Sequence, residues 1–268
     1  MLKKIILFII LAVTVASCAP RAVIKPAPMV KAIPPETPPA QVFSLIKSAD
    51  EKVQSLKAAV TITVDAGAKG KNSFDGVLYA MKPDSARITG LALLGVTVFD
   101  AVLKGDKFYF YRPSEGVLYT GPRASLRGFL KEQGIDVDPE VVARSLFMAS
   151  GGPDEYLLEN SGGDGYRLTL LNKKSAPELP TMRAEYDQAL DLKQRIFYDE
   201  LARPYLSVRT EGELEEGGAR LPRRIIAKDV RGGYTITVDF QKYIVNPPGI
   251  ENEFTIEGGE LKGIRRVE

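Results

Sequence analysis

Residues Ser85–Asp100 read SARITGLALLGVTVFD. The first part is an ordinary mixed strand. From Leu91 the chain runs LALLGVTVFD, with no charge before Asp100 and a glycine, Gly95, near its middle. Turns between strands are normally built from Gly, Pro, Asn, Asp and Ser. This one carries Leu93 and Leu94 beside Gly95. The stretch is too short to cross a membrane, which needs about 20 apolar residues. Two readings remain: a buried hairpin, or an apolar turn held out towards something other than water.

The flanks decide the architecture. VTVFDAVL puts Thr97, Phe99, Ala101 and Leu103 opposite Val96, Val98 and Val102. KFYFYR then puts Phe108 and Phe110 on one side and Tyr109 and Tyr111 on the other. Upstream, KAAVTITVDA alternates, with Val60, Ile62 and Val64 on one face and Thr61 and Thr63 on the other. Such period-two runs, separated by turn residues, indicate antiparallel strands in sequence order. SFDGVLYAMK, SARITGL and VLYTG complete the first half. EYLLENS, GYRLTLLN, TMRAEYDQ, KQRIFYD, PYLSVRTEGEL, RLPRRIIAKDV and YTITVDFQKYIV make the second, with GIENEFTIE as an edge piece. Several of these runs are apolar on both faces, whereas a half-solvated sheet alternates more cleanly. Such a sheet needs two covers, or one cover and a ligand.

Helical periodicity occurs in three places. Ala40–Leu56 carries Val42, Leu45, Ile46, Ala49, Val53 and Leu56 at spacings of three and four, with Pro39 suited to the first turn. ASLRGFLKEQ is a short helix ended by Gly134. Asp138-Pro139-Glu140 starts a third, PEVVARSLFMAS, ended by Gly151-Gly152-Pro153.

The N-terminus, MLKKIILFIILAVTVASCAP, has a positive start, a short apolar stretch and small residues before Cys18. Val15-Ala16-Ser17-Cys18 resembles the bacterial lipobox, which makes Cys18 an acylation site and the link to a membrane surface. It is the only cysteine in the chain, so no disulfide or thiolate metal site is expected. Ala19 after the cysteine, rather than aspartate, leans towards the outer membrane. Seven of the 21 residues from Ala19 to Pro39 are proline, which makes a semi-rigid tether. The expected organisation is a signal peptide over 1–17, lipidated cysteine and tether over 18–39, and one domain over 40–268.

Composition narrows the chemistry. The chain has no histidine, which removes the commonest general base and metal ligand. Without Lys3 and Lys4, Lys+Arg falls from 36 to 34, equal to the 34 Asp+Glu, so nucleic acid is not an expected partner. Ser44-Leu-Ile-Lys47 matches a penicillin-binding SxxK pattern, but no SDN or KTG partner accompanies it. GGP, GGDG and GGY lack the ending and setting of a phosphate loop and read as turns. No catalytic residue, metal ligand or cofactor is assigned, and the chain is not expected to be an enzyme.

The order of helix, hairpin, LALLGVTVFDAVLKGDKFYFY, VLYTG, helical insertion and closing YTITVDFQKYIVN resembles the LolB-like receptors of the LolA/LolB-like lipoprotein-carrier superfamily, over roughly Val42–Phe254. SARITGLALLGVTVFD looks like that family's arginine-bearing strand and following turn, with Leu93 where the family carries proline. The resemblance implies an α+β fold: a curved antiparallel half-barrel of about eleven strands, its concave face covered by an N-terminal helix and a helical insertion. It implies a periplasm-facing, outer-membrane lipoprotein that receives the acyl chains of other lipoproteins in an apolar cavity from a LolA-like carrier. It also implies that Leu94, with Leu93 and Gly95, enters the membrane. Val60, Ile62, Val64, Phe99, Phe108 and Phe110 are the cavity candidates, and a monomer is expected. The alternatives are a tethered assembly lipoprotein using the same fold as a binding platform, or a carrier of other lipids. Large inward rings packed against the helices favour the platform, and an open apolar cavity favours the carrier.

Overall fold

The computed structural model describes residues 32–34, 36–132, 147, 155–161, 165–173, 177–231, 233–256 and 262–267. Cys18 and the expected helix over 139–150, apart from Phe147, lie outside the described residues.

A helix, α1 (Pro39–Glu51), opens the body and buries Val42, Phe43 and Ile46. It stops before the expected Leu56, because β1 (Ser55–Asp65) has already begun. The junction is held by Asn246. Its Oδ1 accepts from the backbone N–H of Gln54 at 2.9 Å and of Ser55 at 3.0 Å, and its Nδ2 donates to the Lys52 carbonyl at 2.8 Å. One side chain from the far end of the sequence thus supplies what the frayed helix end and the new strand each lack.

The first half of the sheet is a meander of β2 (Lys71–Met81), β3 (Ser85–Leu91), β4 (Thr97–Lys104), β5 (Lys107–Arg112) and β6 (Val117–Pro122). A short helix, α2 (Leu126–Glu132), follows and buries Leu126, Phe129 and Leu130. The second half is β7 (Tyr156–Asn160), β8 (Tyr166–Asn172), β9 (Leu179–Tyr186), β10 (Leu192–Tyr198), β11 (Pro204–Glu216), β12 (Ala219–Asp229) and β13 (Thr235–Val245). β1 and β13 pair antiparallel from Leu56↔Val245 to Asp65↔Thr235 and join the halves. A last strand, β14 (Gly263–Arg266), adds to β6 in parallel. The result is one open, curved half-barrel with fourteen strands among the described residues, ordered β14-β6-β5-β4-β3-β2-β1-β13-β12-β11-β10-β9-β8-β7.

Two further features differ from the sequence expectation. The count exceeds eleven, and GIENEFTIE is not an edge strand: Ile250–Phe254 forms a 3-10 turn. That turn answers why β2, β4 and β5 are apolar on both faces. Ile250 and Phe254 pack on the outer face, against Tyr79, Val102, Val77, Met81 and Tyr109. Arg87 fixes it there by donating from Nη1 to the Glu253 carbonyl at 2.6 Å. The same guanidinium makes a two-point pair with Asp100, Nε to Oδ1 at 2.9 Å and Nη2 to Oδ2 at 2.6 Å. Asp100 raises the Arg87 pKa against the opposing effect of burial. Breaking such a mostly buried pair on one side leaves a stranded charge.

Near the bend of β13, the β1 register shifts between Ala59 and Val60, which inserts Gln241 as an extra residue. The parity change lets Phe240 and Tyr243, three apart, share the inner face and stack at 4.7 Å. The Tyr243 hydroxyl donates to the Pro222 carbonyl at 2.6 Å.

Residues 32–34, ahead of α1, also dock on the body. The Ile33 N–H donates to the Gln188 carbonyl at 2.9 Å, Tyr166 Oη donates to the Pro34 carbonyl at 3.4 Å, and Ile33 packs on the main core. The receiving β9–β10 turn is ordered by Asp187, whose Oδ1 accepts from Ala189 and Asp191 N–H and whose Oδ2 lies 2.7 Å from Lys193 Nζ. Arg220 Nη2 bridges the Asp191 and Glu213 carboxylates.

Burial, and then the hydrogen bond with Glu213, push the Asp191 carboxyl up to about 7. Glu213 is held low by hydrogen bonds from Asp191 and Arg220 that outweigh its own burial. The folded state therefore favours the proton on Asp191. That contribution is full below the unfolded-state pKa near 4 and is lost as pH rises to about 7. Asp191→Asn keeps the side chain neutral throughout. The variant is expected to match the parent near pH 4 and to melt higher than it at pH 8, a difference thermal denaturation across that range will read. A variant melting below the parent at pH 8 would show that the charged carboxylate on Arg220 stabilises the turn instead.

Candidate functional site

β3 delivers the chain to the apolar turn and β4 takes it away. The turn is closed by backbone bonds, Ala92 N–H to the Val96 carbonyl at 2.8 Å and Gly95 N–H to the Ala92 carbonyl at 3.1 Å. Leu93–Gly95 forms a 3-10 turn in which Leu94 has φ 65° and ψ 18°, followed by Gly95 at φ 76°. The left-handed region costs a residue with a Cβ about 1–2 kcal/mol and is the usual place for glycine. Leu94 bears that cost with no packing in return, because it is 95% exposed. Val96 and Val98 beside it are exposed as well. Val98 is the extra residue where the β3–β4 register shifts between Gly90 and Leu91, which turns it away from the interior.

One residue further on, Phe99 points inward and its ring lies over Gly90. A Cβ built on Gly90 would sit 2.3 Å from Phe99 Cε1. From there a chain of rings crosses the concave face. Phe74 meets Phe99 edge-on at 5.2 Å, and Phe99 stacks on Phe110 at 5.8 Å. Phe110 meets Phe129 of α2 at 5.6 Å, and Phe129 stacks on Phe108 at 5.5 Å. Phe108 and Phe110 are buried, while Phe99 is half-buried and packs at the margin of this cluster.

The other inward residues belong to a second, larger cluster. Val60 and Ile62 are buried in the core that includes Val42, Phe43 and Ile46 of α1, with Val64 partly buried against it. The structure therefore divides the six inward candidates between two packed clusters, one under α2 and one with α1. Beside the larger cluster is a cavity of about 500 Å³ between α1 and β7, lined by residues that include Phe43, Ser44, Lys47, Tyr156 and Leu158. Its volume falls within the range of small-molecule sites. Ser44 and Lys47, the SxxK pair, both line it, but the Ser44 hydroxyl donates to the Ala40 carbonyl at 2.9 Å. Lys47 lies 4.0 Å from Glu51.

Polar groups that were not singled out in the sequence also occupy this face. Arg195 is buried and donates from Nη1 to the Phe147 carbonyl at 2.7 Å. Tyr186, paired with Arg195, is deeply buried, and that burial raises its pKa. Burial likewise pushes the Tyr156 hydroxyl up to about 12. Lys82 Nζ lies 2.5 Å from Asp50 Oδ2 and 5.3 Å from the centre of the Phe147 ring. The signal for Arg195 was present: in KQRIFYD it is in phase with the inward Phe197, two residues on.

No family model and no curated protein matches the sequence. Solved structures do match the fold. A DUF1329 family protein from Desulfovibrio piger aligns with TM-score 0.59 and 15% identity, over 82% of this chain and 98% of its own. A protein described as an outer membrane lipoprotein-sorting protein domain from Vibrio parahaemolyticus aligns with TM-score 0.55 and 12% identity, over 80% and 95%. A LolA superfamily protein from Nitrosomonas europaea aligns with TM-score 0.52 and 16% identity, over 80% and 96%. The chain thus has the open, unclosed antiparallel half-barrel of the LolA-like fold.

The ring chain gives a direct test. Gly90→Ala forces the Phe99 ring off its stack and is expected to destabilise the protein by about 1–3 kcal/mol. In Phe99→Leu the obstructing ring is gone, so the Ala substitution should cost much less in that background. Thermal denaturation of the two single variants and the double variant checks this, and strict additivity would show that Phe99 does not govern Gly90.

Proposed function

We propose that this protein is a lipoprotein, acylated at Cys18 and held at the periplasmic face of the outer membrane, that accepts acylated lipoproteins and inserts them into that membrane. The observation that carries the reading is the Leu94 turn. A leucine in left-handed backbone, almost wholly in water, weakens the soluble fold twice over, by strain and by exposed apolar surface. Contact with a bilayer recovers the second loss, at about 1.5–3 kcal/mol for one leucine. That is enough to orient an anchored body but not to anchor one.

The remaining steps follow from the interior. Acyl chains are costly in water, held without specific contacts against an apolar face, and held better by a bilayer, so transfer runs downhill without nucleotide. The half-buried Phe74 and Phe99 lead from the strand end that bears the Leu93–Gly95 turn towards the buried Phe108 and Phe110. The cavity between α1 and β7 is a second place for an acyl chain. A LolA-like donor fits a receiver of this fold. The Vibrio parahaemolyticus neighbour is an outer membrane lipoprotein-sorting protein domain, and the shared fold is compatible with that role here.

A second reading is favoured by one specific observation. Phe99 stacks on Phe110, and Phe110 and Phe108 both pack on Phe129 of α2. A face filled this way suits a tethered binding platform in place of a carrier. Depleting the protein and fractionating other lipoproteins separates the two. Mislocalised lipoproteins support the receptor, and unchanged outer-membrane localisation rejects it.

Leu94→Glu is expected to fold normally and bind cargo, yet to deliver it poorly. Leu94→Gly removes both side chain and strain, and its stability should stay within about 1 kcal/mol of the parent or exceed it. Loss of delivery in both variants, with unchanged melting, is the expected pattern. Unfolding of either would make Leu94 a structural residue.

A further inference from the structure

The Leu94 turn is not alone at its end of the sheet. Strand directions follow from the antiparallel pairings. Asp65, at the end of β1, pairs with Thr235 at the start of β13, and Lys228, near the end of β12, pairs with the same Thr235. Leu206, near the start of β11, pairs with Asp229, and Tyr198, at the end of β10, pairs with Pro204. The β12–β13 and β10–β11 turns therefore lie at the same end as the β3–β4 turn. Each presents an aliphatic side chain to solvent: Leu201 is 67% exposed and Val230 45%. With Leu94 they make three apolar tips spread around the arc of a half-barrel. At the opposite end the tight turns carry Pro83-Asp84, Gly105-Asp106 and Gly217-Gly218. Among the described residues, these tips are polar or glycine, except for the exposed Pro83.

The two added turns bond several of their polar groups internally, with Glu200 left exposed beside Leu201. Asp199 Oδ1 accepts from the Leu201 and Arg203 N–H groups, each at 2.9 Å. Its Oδ2 takes Arg203 Nη2 at 2.9 Å and Arg231 Nη2 at 2.5 Å. The backbone bond from Arg203 and the guanidinium bonds hold the Asp199 carboxylate far below its usual pKa, so it stays ionised with its charge matched inside the turn. Val230 N–H donates to the Tyr205 carbonyl at 3.0 Å, and Arg231 N–H donates to Asp229 Oδ1 at 2.9 Å. Turns whose polar groups bond one another can press an aliphatic tip into an interface at little desolvation cost.

We infer that this end of the half-barrel is a bilayer-contact rim, with Leu94, Leu201 and Val230 entering the lipid headgroup boundary together. Three points around an arc fix the tilt of a body against a plane, which one leucine does not. The inference rests on the membrane reading of Leu94 and extends it to two further turns at the same end. In the Asp199 turn the guanidiniums of Arg203 and Arg231 share one carboxylate, so these tips present aliphatic side chains beside internally bonded charge and zwitterionic lipid suffices. Each immersed aliphatic side chain should tighten contact by roughly 10-fold or more.

The test uses the full-length acylated protein in phosphatidylcholine vesicles. Acylation blocks Cys18, so a single introduced cysteine, Leu94→Cys, Leu201→Cys, Val230→Cys or Asp106→Cys, takes an environment-sensitive fluorophore alone. The expected result is a blue shift, and quenching by lipid carrying a shallow spin label, at 94, 201 and 230 but not at 106, persisting in high salt. Immersion of 94 alone overturns the rim and leaves the single-turn reading standing. Immersion of none overturns both and directs the tips to a protein partner. Immersion of all four, or release by salt, overturns the rim as an oriented apolar contact.

Discussion

Everything in this molecule hangs on the ladder between β1 and β13. The two meanders are each local in sequence, and neither alone brings its start to its end. The ten paired positions from Leu56↔Val245 to Asp65↔Thr235 join residues about 180 apart into one sheet. Loop closure over that distance is entropically unfavourable, so the ladder is the step on which the concave face depends. Asn246 reinforces it where the ladder ends, satisfying three backbone groups of the helix-to-strand junction with one amide. Once the ladder is in place, α1 lies over the second half and α2 over the first, and the apolar residues of both meanders face one curved surface.

Closure also explains how the sheet manages two apolar faces. The inner face of β3–β5 is covered by α2 and its own aromatic rings, the outer face of β2–β5 by the Ile250–Phe254 turn that Arg87 holds down. The chain then runs on to β14 beside β6, shielding one edge of the open sheet. The same stretch after β13 is thus outer cover and edge strand.

Much of this was legible in the sequence. The alternation in KAAVTITVDA and KFYFYR placed Val60, Ile62, Phe108 and Phe110 on one face, because strand periodicity is a local property of the chain. What was not legible was non-local. GIENEFTIE alternates like a strand, but the open outer face of β2–β4 was available to it, and burying Ile250 and Phe254 there outweighed edge pairing. The end of α1 was placed too late, since the helical spacing ran on through Val53 and Leu56 and nothing local announced the Asn246 clasp. Arg195 was overlooked although its phase was plain, because an arginine reads as surface until its strand is known to face a covered interior. At the apolar turn, exposure of Leu94 depended on a single backbone value, φ 65°, which no pattern reveals.

The dock of Ile33 on Gln188 has a consequence for leverage. It lies on the β9–β10 turn, at the end of the sheet away from Leu94, so the docking point and the apolar tips are at opposite ends of the body. Thirteen residues, or fourteen Cα-to-Cα steps, separate Cys18 from Ala32. Their fully extended length is at most about 50 Å, against about 35 Å for the eleven residues of β1 alone. With Cys18 acylated as proposed, the leash has barely enough slack to fold back along the body and set the apolar tips on the same leaflet. On that proposal the docked stretch, residues 32–34, sets the working length of the leash, and undocking it would add about seven residues up to α1.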